Sequence, residues 1–270
     1  MSGLRLSCLV GSAFFMLATV SAALDEPNLT TEQKREFLLS AKVIGSKELG
    51  IGKTHPWRLT LNDGTLTHDA AFNTVDEFKN IMKFFDGHTE LNFRDSYQYD
   101  IAAYELAKLI GLDDMLPVTV ERRWEGKRGA LTWWLPVKMD ENKRVKENLP
   151  PPDPEAWNRQ MFKVRVFNQL IYNTDPNLGN LLITADWKLY AIDFTRAFRL
   201  YDKVETPSDL ERCDRRLLEK LRQLDGQELL NRTKPHLSKA EVKALMARRD
   251  KIVKIFDQLI AQKGEAAVLY

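Results

Sequence analysis

The sequence predicts an α+β protein of two lobes, strand-rich in its N-terminal half and helical in its C-terminal half. Three observations predict it. Between Ala41 and Phe72, short β-favouring runs are separated by a glycine-containing turn and by Asn62-Asp63-Gly64. Beyond Pro154, apolar residues recur at spacings of three and four. A charged stretch, Met139 to Pro154, with Pro150-Pro151-Pro152 inside it, separates the two patterns and reads as a linker. The 270 residues, 44% apolar and 29% charged, have room for a sizeable core. A net charge of +2, with no long Lys/Arg run, argues against a dedicated nucleic-acid surface.

The first residues are a separate matter. Arg5 is followed by an almost wholly apolar run, Leu9 to Val20, and then by Val20-Ser21-Ala22. This is the pattern of a secretory signal peptide over residues 1–22, cleaved after Ala22. The run is short for a membrane span. The expectation is an exported chain, secreted or periplasmic, with no stable membrane span once mature. After cleavage only Cys213 remains, which rules out an intrachain disulfide and a cysteine metal site. The division that follows is 23–138 for the N-terminal lobe, 139–154 for the linker and 155–270 for the C-terminal lobe.

Taken in order, Thr31 to Leu39 begins a short helix, and Ala41 to Ile44 a strand. Gly45, Gly50 and Gly52 then mark a backbone-exposed turn ending at Lys53. Trp57 to Leu61 and Thr65 to Phe72 form a hairpin about the Asn-Asp-Gly turn. Two helices are expected next. One runs from Val75 to Phe85, and the other starts at a cap on Asp95 or Ser96 and ends at Gly111. Pro117 to Arg123 and Ala130 to Val137 read as strands around Glu125-Gly126. In the second half, Pro154 to Leu170 is an amphipathic helix carrying Trp157, Met161, Val164 and Phe167. Leu181 to Thr184 and Leu189 to Ile192 are short strands, and Pro207 to Leu221 is a charged helix. The last helix opens with the capping box Ser238 to Glu241 and ends at Gly264.

One stretch carries chemistry. Tyr172-Asn-Thr-Asp175-Pro-Asn177-Leu-Gly179-Asn180 lies between a long helix and a short strand, and Asp193 follows at the end of the next strand. Phosphoryl transfer needs a carboxylate near the incoming hydroxyl and a divalent cation on the nucleotide phosphates. Magnesium takes oxygen ligands from carboxylates and amides. Asp175 and Asn180, five residues apart on one loop, and Asp193 on a paired strand supply such a set. The stretch resembles the loop and metal strand of phosphoinositide kinases. There an Asp-Arg-His-Asn-x-Asn loop is followed by Asp-Phe-Gly. Asp175, Asn180 and Asp193-Phe194 match, while Pro176, Asn177, Leu178 and Thr195 depart from that pattern. HipA-type toxin kinases and secretory-pathway casein kinases have a related loop. Asp100-Ile-Ala-Ala-Tyr104 is also similar to the casein kinases' Glu-Ile-Ala-Ala-Phe helix, whose glutamate pairs with the ATP-anchoring lysine.

The resemblance implies a bilobal protein-kinase-like fold and an exported phosphotransferase. It would use ATP with Mg²⁺ or Mn²⁺ on an unknown protein, lipid or small-molecule hydroxyl. Asp175 would be catalytic, and Asn180 and Asp193 metal ligands. Gly50, Gly52, Lys53, Asn73 and Asp100 would lie around the nucleotide. Two positions depart from the pattern. Asn73 stands where the third strand's lysine belongs, and Asp100 replaces the helix glutamate. Lys53, Lys79 and Arg58 are alternative cations. The other reading is a pseudokinase that serves as a binding module. Arg196 is expected in a salt bridge, with Asp175 one of its candidate partners. Of Trp133 and Trp134, one belongs to the core and the other is placed to stack on adenine. The four histidines are scattered without ligand spacing.

Overall fold

The computed structural model describes residues 28–50, 56–84, 87 and 89–270. The expected signal peptide, Gly52 and Lys53 lie outside the described residues. Helix α1 (Thr31–Ser40) starts on a capping box between Thr30 and Gln33 and buries Phe37 and Leu38. It leads into a five-stranded antiparallel sheet of β1 (Lys42–Glu48), β2 (Trp57–Asn62), β3 (Thr67–Asn73), β6 (Thr119–Trp124) and β7 (Lys127–Trp133), in the order β1-β2-β3-β7-β6. The β2–β3 turn forms where expected, because the Asp63 carboxylate accepts the Thr65 and Leu66 amides at 2.8 Å each.

Alternation sorts the sheet. Leu59, Leu61, Ala70 and Phe72 are all but sealed from solvent and belong to the main core. Arg58, Thr60, Asp69, Ala71 and Asn73 occupy the other face. Gly129 in β7 is fitted closely against the end of β3. A Cβ there would stand 2.4 Å from the Asn73 carbonyl and 2.7 Å from the Phe72 ring. Gly129→Ala should therefore cost about 3 kcal/mol, the upper range for overpacking, read as a lowered urea midpoint.

Helix α2 (Tyr97–Ile110) is capped by Ser96 and stopped by Gly111 in the left-handed conformation, φ 74°. The helix expected before it does not form. In its place stands a β-hairpin of β4 (Asp76–Lys83) paired with β5 (Thr89–Ser96). Phe78, Ile81 and Met82 suit helical spacing, but β4 has almost no buried face that would select a helix. The pairing with β5 and the bonds that Asp76 accepts from Ser96 and Gln98 decide the outcome.

The stretch expected to be a linker is more structured. β8 (Val137–Asp140) pairs with β9 (Leu181–Thr184), and β10 (Leu189–Ala191) completes a three-stranded sheet. Asp140 caps α3 (Glu141–Lys146). Helix α4 (Pro154–Ile171) has Asp153 as its cap and Pro154 in its first turn. The expected charged helix over 207–221 is divided. Pro207–Asp209 is one 3₁₀ turn, and α5 (Arg215–Gln223) begins only where Asp214 can cap it. Helix α6 (Gly226–Thr233) was not anticipated. Helix α7 (Lys239–Lys263) follows its capping box, and α8 (Glu265–Val268) ends the fold. Val242, Leu245, Ile252 and Phe256 of α7 are buried as expected. Arg249 on the same stripe donates to the Leu221 and Leu224 carbonyls at 2.9 and 2.8 Å.

Candidate active site

Helix α4 ends at Tyr172 in the left-handed region, φ 50°, which turns the chain into the loop. Asn173 organises that loop. Its side-chain oxygen accepts the Asp175 amide at 3.0 Å, and its amide group donates to Asn168 at 3.2 Å. Two further contacts tie the loop to the strand end that follows β10. The Thr174 amide and hydroxyl donate to the Arg196 carbonyl at 3.3 and 2.9 Å. The Ile192 amide donates to the Asn180 carbonyl at 3.0 Å. Asp175, Asn180 and Asp193, read from separate positions in the sequence, thus belong to one constellation.

Asp193 has φ 60°. A non-glycine residue in that region is strained by about 1–3 kcal/mol, and such strain concentrates at functional positions. Its carboxylate accepts the Thr195 hydroxyl at 3.0 Å. Asp100, on α2, accepts the Phe194 amide at 2.7 Å. The helix carboxylate therefore holds the backbone just past Asp193, whereas the resemblance would pair it with a lysine.

The site is rich in acid. Burial, reinforced by the neighbouring charge of Asp193, pushes the Asp100 carboxyl well above the ordinary carboxylate range, and the Phe194 amide only partly opposes this. Burial likewise raises Asp193, with Asp95 and Asp175 adding to the effect. Asp95 is raised by burial too, and its Oδ1 is buried without a partner. In the sequence Asp95 stands out only as a possible helix cap. Its local context, one residue before Ser96, gives no sign of what it faces.

A raised carboxyl has a defined sign in stability. Its protonated form is favoured on folding, so its contribution is intact below the unfolded range, about pH 4. The contribution is lost as pH climbs through the raised folded value. Asp100→Asn keeps an acceptor for Phe194 and removes the charge. Its melting temperature at pH 7 should exceed wild type by about 3 °C, and the gap should close toward pH 4. An equal gap at both pH values would contradict the assignment.

The expected donor set fits a hard divalent cation. Asp193 offers a carboxylate in acidic surroundings, Asn180 an amide oxygen, and the orphaned Asp95 Oδ1 an unsatisfied acceptor alongside. Among the described residues, no three carboxylate, imidazole or thiol groups already form a metal centre.

The remaining candidates are placed as follows. Gly50 sits at the end of β1 with φ 60°. Asn73 uses its side-chain oxygen on the Val75 amide, 3.1 Å. Lys79 is on the exposed face of the hairpin and pairs with Glu77 at 2.6 Å. Arg58 is held by Asp69 and lies 4.5 Å from the centre of the Trp134 ring, so one face of that indole carries a guanidinium. Trp133 is the core tryptophan, 2% exposed. Arg196 bonds Glu90 of β5 at 2.9 Å and approaches Asp175 at 3.5 Å. A cavity of about 860 Å³ opens beside the loop, with Met161, Thr174, Pro176, Arg196 and Tyr201 in its walls.

The fold is kinase-like. No family model matches the sequence, and no curated protein matches it. Among solved structures it is similar to a hydra Fam20 protein determined with sugar: 14% identity, 89% of this chain and 92% of that one covered, TM-score 0.64. The Golgi casein kinase with Mn and ADP bound is similar over 88% of this chain and 78% of its own, at 13% identity and TM-score 0.64. The Helicobacter pylori proinflammatory kinase CtkA is similar over 84% and 98%, at 10% identity and TM-score 0.54. At these identities the likeness is one of fold.

Proposed function

We propose that the chain is an exported phosphotransferase that moves the γ-phosphoryl group of ATP to a hydroxyl acceptor with the help of Mg²⁺ or Mn²⁺. The observation that carries this reading is the joining of the Asp175 loop to the Asp193 strand end by the Ile192 and Thr174 hydrogen bonds. The manganese and ADP in the Golgi casein kinase support the choice of ligands. Asp193 and Asn180 would hold the metal. When bound, the metal neutralises charge on the nucleotide phosphates. Asp175 accepts the acceptor's proton while that oxygen forms its bond to phosphorus and the bond to the departing ADP oxygen breaks. Asp175 is half exposed, and the cavity beside it gives an acceptor a route in. Gly50, Gly52 and Lys53 would cover the phosphates. For export, the supporting feature is the apolar leader in the sequence. No described helix is long and apolar enough to cross a membrane.

A specific observation favours a second reading, a binding module without catalysis. Asn73 brings no charge and is occupied with its own backbone turn, and Asp100 accepts the Phe194 amide. The test is release of ADP or transfer of labelled phosphate by the chain with ATP and Mn²⁺, compared with Asp175→Ala. General-base loss should lower the rate by about 10²–10⁴-fold. Equal rates in both proteins would sink the catalytic reading. A thermal shift without turnover would favour the binding module.

A further inference from the structure

We infer that Glu90, at the far end of the β4–β5 hairpin, is the positioning residue that sets the distance between Arg196 and Asp175. The inference rests on the phosphotransferase reading above. Glu90 is far from the loop in sequence, and the hairpin carries it across to the strand end. There its carboxylate accepts Arg196 through Oε2 at 2.9 Å and Arg199 through Oε1. All three side chains are largely enclosed, at 11%, 17% and 5% exposed for Glu90, Arg196 and Arg199. Phe93 of β5 backs both guanidiniums, with its ring centre 5.4 Å from Arg196 and 5.7 Å from Arg199. Phe84 lies 5.1 Å from Arg196. The hairpin thus builds an aromatic socket around two arginines and bridges them with one carboxylate.

Arg196 is divided between two acids. One nitrogen is hydrogen-bonded to Glu90, and another stands 3.5 Å from Asp175, beyond a firm charge-assisted bond. A guanidinium free of Glu90 would close onto Asp175 and occupy the oxygen that must take the acceptor's proton. The backbone carbonyl of Arg196 also receives both donors of Thr174, so a shift of Arg196 moves the loop itself. Asp95 and Asp193 add like charge near Asp175, and among the described residues Arg196 is the cation paired with it.

The experiment pairs kinetics with hydrogen exchange on the full chain. Glu90→Gln should lower kcat by about tenfold or more and leave KM for ATP within about threefold, the pattern of a lost transition-state arrangement. The Thr174 amide should exchange faster, while α7 should be unchanged. Arg199→Gln removes the other partner of Glu90 and should lower the melting temperature but keep kcat within about threefold. If Glu90→Gln does not fold, Arg196→Lys serves. It keeps the charge but has one nitrogen where the guanidinium uses two, and the same kcat loss is expected. Unchanged Thr174 exchange overturns the role of Glu90 even if the wild-type chain turns out to transfer no phosphate. Absence of transfer in wild type overturns the phosphotransferase reading alone. An active Glu90→Gln with unaltered kcat also overturns the positioning role.

Discussion

Asp193→Ala should lower phosphate transfer by about 1,000-fold or more and remove the Mn²⁺-dependent part of any thermal shift by ATP. The reason is geometric. Asp193 is held in the left-handed backbone region, its carboxylate is oriented by Thr195, and the charges of Asp95 and Asp175 act on it. Removing one of these carboxylates should also relieve repulsion, so the metal-free protein should melt no lower than wild type. Asp175→Ala should behave differently, losing kcat while keeping the metal-dependent shift. This contrast separates metal holding from proton acceptance. If Asp193→Ala retained both transfer and shift, the metal assignment would be wrong.

The largest expected effect on stability lies away from the site, at Arg248 of α7. This arginine is wholly buried. It donates to the Leu170 carbonyl at 2.8 Å, to the Arg199 carbonyl at 2.9 Å and to the Tyr201 carbonyl at 2.5 Å. Leu170 is in the last turn of α4, whose final carbonyls have no helical partner. Arg199 and Tyr201 belong to the segment that follows the metal strand. Burial pushes the Arg248 guanidinium down to about 10, yet it stays charged at neutral pH. Arg248→Met fills similar volume but strands three buried acceptors. The expected cost is about 3–5 kcal/mol, a fall of about 10 °C in melting temperature. Arg249→Met, which loses two part-buried acceptors, the Leu221 and Leu224 carbonyls, from a side chain that still reaches solvent, should cost about 1–2 kcal/mol. Equal urea midpoints for the two variants would refute the comparison.

What was legible in the sequence had local causes. Ser96 and Gly111 bound α2, the capping box starts α7, and Asp63-Gly64 closes the β2–β3 hairpin, each through contacts within a few residues. The loop and metal strand were legible because their spacing encodes a hairpin. The β4–β5 hairpin was not, because nearly all of β4 is exposed and its periodicity says little about burial. Glu90 and Asp95 were missed for a related reason: their partners are Arg196, Arg199 and Thr195, about a hundred residues away. Arg58 stands out in sequence as a cation within reach of phosphate, because nothing there shows that Asp69 stands across the hairpin from it.

The bond from Phe194 to Asp100 has a consequence for how such a chain can change by descent. In the pattern it resembles, a strand lysine and a helix glutamate depend on each other. Here Asn73 and Asp100 have each taken up a backbone amide. Lysine at position 73 would uncap Val75. Glutamate at position 100 would push against the Phe194 amide that Asp100 now accepts. Each substitution carries its own local cost, so a lysine–glutamate pair could not be introduced here without disturbing both the turn after β3 and the backbone beside Asp193.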